Sequence, residues 1–270
     1  MKISSAVSEN SSLMPLLFVG HGSPMNAIEE NQFTAGWRDI TAEIPEPDAI
    51  LCISAHWETN GTYVTAMEMP KTIHDFGGFP HKLYEVQYPA PGNPGLAKEV
   101  KKIITRTDVG LDEEWGLDHG CWSVVKTMYP LADVPVIQMS LDYNKHPQYH
   151  YELAKELAQL RRKRVLIIGS GNMVHNLGMV AWDKMNEPEY GFDWAIEANE
   201  KMKSYILSDN HKSLIEYKNQ GRVFTMAVPT PEHYLPLLYI LALKEENEEI
   251  YFFNDKPVMG SLTMTSLKIG

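Results

Sequence analysis

Short apolar runs, partly β-branched, punctuate the chain. They fall at Leu16 to Val19, Ala49 to Ser54, Tyr63 to Met67, Val134 to Leu141, Arg164 to Ile168, Val223 to Val228 and Tyr251 to Phe253. Runs of that length without alternation predict strands buried on both faces. Between them, Gly95 to Thr105, Pro147 to Arg162, Asp193 to Ser208 and His233 to Lys244 carry apolar residues at helical spacing,. Strands alternating with helices predict an α/β fold: one domain with a largely parallel or mixed central sheet, flanked by helices. The stretch Pro257 to Ile269 alternates apolar and polar residues and predicts an edge strand or a hairpin arm,. Irregular stretches run from Met69 to Pro94 and from Trp182 to Gly191. Long loops inside a domain are uncommon and are often functional.

Length agrees with one large domain: the chain has 270 residues and no Gly-, Pro- or Ser-rich linker divides it,. Residues 1–14 are expected to form a tail and 15–270 a single catalytic domain. The first dozen residues, MKISSAVSENSS, are polar and lack the apolar segment of a secretory signal,. No apolar run is long enough to span a bilayer. Cys52 and Cys121 lie in apolar or helical contexts outside any Cys-x-x-Cys pair, which predicts free thiols and a cytoplasmic protein,. The formal charge of -11 argues against nucleic-acid and anionic-membrane partners,.

Candidate chemistry rests on the placement of the ten histidines. His21 follows the run ending LFVG, His56 follows LCISA, His175 follows RVLIIGSGNMV and His233 follows RVFTMAVPTPE. Each therefore stands just past a predicted strand, at the sheet edge where ligands bind in open α/β folds. Neutral imidazole is the commonest nitrogen ligand of zinc and iron, and three protein ligands with open positions make a catalytic site. The glycines flanking His21 permit a tight turn. Ser23 lacks the Gly-x-Ser-x-Gly context of a nucleophile. Gly169-Ser170-Gly171 begins like a dinucleotide fingerprint, but Val174 stands where the third glycine belongs, so the turn is read as delivering His175,. Asp118 or His119 either caps the helix that follows or serves the site. His74 and His81 are read as surface loop residues, and His146, His150 and His211, placed on polar helix faces, receive no role. Glu232 beside His233 is the one carboxylate in these motifs, and either residue of that pair is placed to face a metal.

The ordered set Gly20-His21-Gly22-Ser23-Pro24, Ser54-Ala55-His56-Trp57, Thr72-Ile73-His74-Asp75-Phe76, Tyr88-Pro89-Ala90-Pro91-Gly92, Asp118-His119-Gly120, Gly169-Ser170-Gly171-Asn172-Met173-Val174-His175-Asn176 and Pro229-Thr230-Pro231-Glu232-His233-Tyr234 resembles the class III extradiol dioxygenases. This is the LigB-like superfamily, and within it the set looks most like the bacterial DOPA 4,5-dioxygenase type. The resemblance implies an iron(II) site that opens a small catechol ring with O2. It implies His21 and His56 as metal ligands. The third ligand, a glutamate in the better-known relatives, corresponds to His233 in the DOPA-type branch. It places His175 as a fourth ligand or as the acid/base residue, and His119 as a second polar group over the substrate. An all-histidine site also suits zinc. The same histidines would serve a zinc hydrolase of a small amide or ester, or a non-catalytic binding protein on the same scaffold.

Overall fold

A strand covered on both faces needs no alternation, and the chain's apolar runs build such strands. The computed structural model describes residues 13–270. Its strands are β1 (Leu16–Gly20), β2 (Ala49–Thr59), β3 (Thr62–Thr65), β4 (Val109–Asp112), β5 (Val136–Asp142), β6 (Val165–Gly171), β7 (Ile250–Phe253), β8 (Pro257–Val258), β9 (Leu262–Thr263) and β10 (Ser266–Ile269). Its helices are α1 (Gln32–Ala42), α2 (His81–Tyr84), α3 (Pro94–Ile103), α4 (His119–Met128), α5 (Pro147–Lys155), α6 (Asp193–Leu207), α7 (His211–Ile215), α8 (Arg222–Ala227) and α9 (Leu235–Ala242). An eight-stranded sheet runs in the order β4-β3-β5-β2-β6-β1-β10-β7. The inner strands β5, β2, β6 and β1 are mutually parallel, whereas β10 runs antiparallel to β1 and β7. The sheet is therefore mixed.

Successive side chains of each inner strand enter opposite cores. Leu16, Phe18, Leu51, Ile53, Ile137 and Met139 pack on one face with α3, α5, α6 and α9. Leu17, Val19, Ile50, Cys52, Val136 and Ile168 pack on the other with α1 and α4, around Trp37 and Trp122. Each fully buried Leu or Ile contributes roughly 1.5–3 kcal/mol relative to exposure, so the two cores hold the sheet rigid beneath its parallel strand ends.

Residues 1–12 of the expected tail lie outside the described residues. Met14 is buried, and its backbone exchanges bonds with Arg161: its N–H donates to Arg161 O at 3.1 Å and its carbonyl accepts from Arg161 Nε at 2.9 Å. No helix among the described residues is long and apolar enough to cross a membrane.

One expectation about elements is corrected and a second is met in part. Val223 to Val228 is the helix α8, because its buried residues Phe224 and Ala227 recur at a spacing of three against α6. The expected strand and a short helix share the same apolar content, and only that contact decides between them. Pro257 to Ile269 forms the hairpin β8–β9 and then β10, which is an interior strand, the edge being taken by β7.

Candidate metal centre

The parallel strands β2, β6 and β1 lie side by side, so their C-terminal ends present adjacent positions to one cleft,. His21 follows β1 directly; Gly22, at φ +59°, makes the turn a side chain would strain,. Ser23 caps the short 3-10 turn that follows, its Oγ accepting from Met25 N–H.

The sequence places His56 past the end of its strand. It lies inside β2 instead, within an irregularity where Ile53 pairs with Met139 but Glu58 already pairs with Leu141. The surplus residues leave the ladder there and turn His56 toward β1. His175 lies beyond β6 in a turn held by its own N–H to Ala227 O at 2.8 Å. His233, also expected past a strand, sits in the loop between α8 and α9, and its carbonyl accepts from Asn172 N–H at 2.8 Å. That approach requires Gly171, whose added Cβ would stand 2.1 Å from His233 O. The glycines at the end of β6, Gly169 and Gly171, thus serve helix-to-sheet packing around a histidine.

Donor atoms of His21, His56 and His233 lie within 4.8 Å of one another. His21 Nε2 faces His56 Nε2 at 3.1 Å. Imidazole nitrogens about 2.0–2.1 Å from a tetrahedral ion stand roughly 3.3 Å apart, so this spacing fits a divalent cation. The hydrogen bonds behind the rings fix which nitrogen carries a lone pair. Ser170 Oγ donates to Gly120 O at 2.5 Å, so toward His21 it accepts; Nδ1–H of His21 is the donor, at 3.0 Å, and Nε2 is bare. Glu232 Oε1 accepts from Thr230 Oγ1 at 2.9 Å and from His233 Nδ1 at 3.2 Å, leaving Nε2 of His233 bare. Such outer partners raise ligand basicity and orient the rings. Glu232 therefore supports His233; it groups with His175 and His233, not with His21 and His56.

His175 stacks on His233 with ring centroids 3.6 Å apart and planes 7° from parallel. Among the described residues its grouped neighbours are His233 and Glu232, so it flanks the three-histidine set and does not enter it. His119 opens α4, its ring 3.9 Å from that of His56. Asp118 takes the cap, accepting from Cys121 N–H, which frees His119 to face the cluster.

Sequence reasoning gives Asp75 no role. Its Oδ1 accepts from His119 N–H at 2.8 Å and its Oδ2 from His119 Nδ1 at 2.9 Å. Burial pushes its carboxyl up, but the bonds and charge of His119 outweigh this and hold it below the usual range. Its sequence signals are its place in the long irregular loop and in the stretch Thr72-Ile73-His74-Asp75-Phe76. The remaining histidines are structural or exposed: His74 bonds Val86 O, His81 pairs with Glu85, and His211 bonds Tyr151. His150, expected on a polar face, is fully buried against Tyr239.

Burial, then the charges of neighbouring histidines, hold His21 and His233 well below the ordinary imidazole value of 6.5. Burial and His119 lower His56 to about 3, and burial lowers His175 to about 4. The cluster is therefore neutral at physiological pH, the state in which imidazole ligates metals. These shifts make stability pH-dependent in a definite direction. The unfolded histidines take up protons near 6.5, while the folded ones refuse them until about 4 for His175 and about 3 for His56. The metal-free protein is expected to keep full stability above that ordinary value and to lose it progressively as pH falls through the window. Denaturant titrations across the window measure this, and a flat profile contradicts it.

The model of the catalytic LigB subunit of aromatic ring-opening dioxygenases matches residues 14–260. The chain is 45% identical over 266 residues to a 4,5-DOPA dioxygenase extradiol of Escherichia coli K12, spanning 97% of this chain and 96% of that protein. It is 33% identical over 259 residues to a 4,5-DOPA dioxygenase extradiol of Beta vulgaris, spanning 93% and 94% respectively. A crystal structure of an uncharacterized Escherichia coli K12 protein superposes with a TM-score of 0.82 at 41% identity, covering 95% of this chain and 100% of that one. With its strand ends, its histidine cluster and these relatives in agreement, the chain belongs to the LigB family of aromatic ring-opening dioxygenases.

Proposed function

We propose that this protein opens the ring of a small, DOPA-like catechol by extradiol 4,5-cleavage with O2, at a divalent metal held by His21, His56 and His233. The observation that carries the reading is the convergence of three neutral imidazoles at one sheet edge, two of them with a hydrogen-bond acceptor behind the ring. The relatives' names support the choice of catechol and of bond. Iron(II), when bound, supplies the redox link between catechol and O2 that zinc lacks.

The chain's own residues handle protons and orientation. His175 and His119 flank the ligand set on opposite partners, one stacked on His233 and the other against His56. Neutral His175 accepts a proton from a catechol hydroxyl and returns it to oxygen as the ring opens, the usual work of a positioned imidazole. His119 is the second polar group over the substrate. Phe76, edge-on to His119 at 5.6 Å, and Trp122 supply apolar wall and keep water from that side. Free, buried Cys52 and Cys121 support a cytoplasmic location,.

The metal assignment is tested by reconstituting the metal-free protein with iron(II) or with zinc and following ring cleavage of a catechol panel that includes DOPA. The iron form is expected to turn over. The zinc form is expected to hold the site without turnover. Robust cleavage by a verified iron-free zinc form overturns the iron assignment.

A further inference from the structure

We propose that Asp75 is a positioning residue of the site: its carboxylate fixes the tautomer and orientation of His119, with the proton on Nδ1 and Nε2 left bare beside the ligand histidines. A carboxylate only accepts hydrogen bonds. The contact between Asp75 Oδ2 and His119 Nδ1 at 2.9 Å therefore requires the proton on Nδ1. The other oxygen accepts the His119 backbone N–H at 2.8 Å, so one carboxylate grips both ends of the residue. Among the described residues nothing donates to Nε2.

Neither of two neighbouring groups takes up these bonds. Asp118 spends its oxygens on Ser54 Oγ, Gln138 Nε2 and Cys121 N–H, each within 2.7–3.0 Å. His56 Nδ1 lies 3.7 Å from Asp75 Oδ2, beyond hydrogen-bond reach,. Asp75 is thus committed to His119.

The loop that carries Asp75 is strapped in place rather than draped. Ile73 N–H donates to Leu117 O at 2.7 Å, Leu117 N–H donates to Lys71 O at 2.9 Å, and Trp122 Nε1 donates to Ile73 O at 2.7 Å. These bonds tie the segment before Asp75 to the start of α4, where His119 stands. Such a strap is what a dyad needs, because a fixed tautomer depends on a fixed acceptor.

The test uses the Asp75→Asn variant. The asparagine side chain is isosteric with aspartate, but its amide nitrogen donates, which drives the proton of His119 from Nδ1 to Nε2. Nitrogen-15 NMR of the metal-free, histidine-labelled protein reads this tautomer directly, with His119 signals identified by their loss in His119→Gln. The parent is expected to show a protonated Nδ1 and a bare Nε2, and the variant the reverse. In the iron-loaded protein, Asp75→Asn is expected to keep metal and catechol affinity while kcat falls roughly 10²- to 10⁴-fold, the scale of a mis-set tautomer.

A parent His119 protonated at Nε2 overturns the inference, as does an unchanged tautomer in the variant. Loss of iron as complete as in a ligand variant also overturns it, by making Asp75 a support of the metal. The kinetic arm rests on the proposed function. Failure of the iron-loaded parent to open any catechol would count against that function and leave the tautomer result standing by itself.

Discussion

Replacing His21 by Ala is expected to strip the metal and the ring-opening activity together. His21 is buried, neutral and locked by Ser170 with Nε2 toward His56. Neither of the other two groups contains it: Glu232 and His175 group with His233, and Asp75 and His119 group with His56, with Asp75 bonded to His119. Two remaining imidazoles make a weak site, since three protein ligands are the usual minimum for a retained catalytic ion. Metal content measured beside turnover should show both near background, with the circular dichroism of the metal-free variant unchanged. A variant that retains full metal shows that His21 is not a ligand, and the set built on it falls.

His175→Ala is expected to behave differently. It should keep most of the metal, still bind catechol, and lose turnover by roughly a hundredfold or more, the usual weight of a proton-transfer group. The geometry explains the split. His175 stacks on His233 but lies outside the three-histidine set, and its lowered pKa of about 4 keeps it in the proton-accepting state. Loss of metal as full as in His21→Ala makes His175 a ligand first. Retention of both metal and turnover removes it from the mechanism and passes its role to His119.

The parallel core of the fold is legible in the sequence because its strands are buried on both faces. β1, β2 and β6 open on unbroken apolar runs, β5 is apolar but for Gln138, Ser140 and its final Asp142, and their order along the chain places His21, His56 and His175 at one edge. α1 is not legible. Only Thr34, Trp37 and Ile40 of its residues are buried, and its clearest signal is the Asn31–Thr34 capping box, not an apolar stripe. β4 is a four-residue edge strand with one buried residue, too short to carry a pattern. His233 reaches the site by a route that the pattern misstates: the run before it is a helix, and the close approach at Gly171 brings it to the sheet edge. Asp75 escapes because its partner lies 44 residues away, across the strap between Thr72 and Leu117. Local pattern does not encode such a pairing.

In the proposed function, three histidines hold an iron(II) at which O2 opens a catechol. Oxygen uptake tests it most directly, with protein reconstituted anaerobically with iron(II), mixed with DOPA and exposed to isotopically labelled O2. The account predicts one O2 consumed for each catechol opened, with both labelled atoms in the ring-opened product. Absence of oxygen uptake, together with hydrolysis of a small ester or amide by the zinc form, would contradict it.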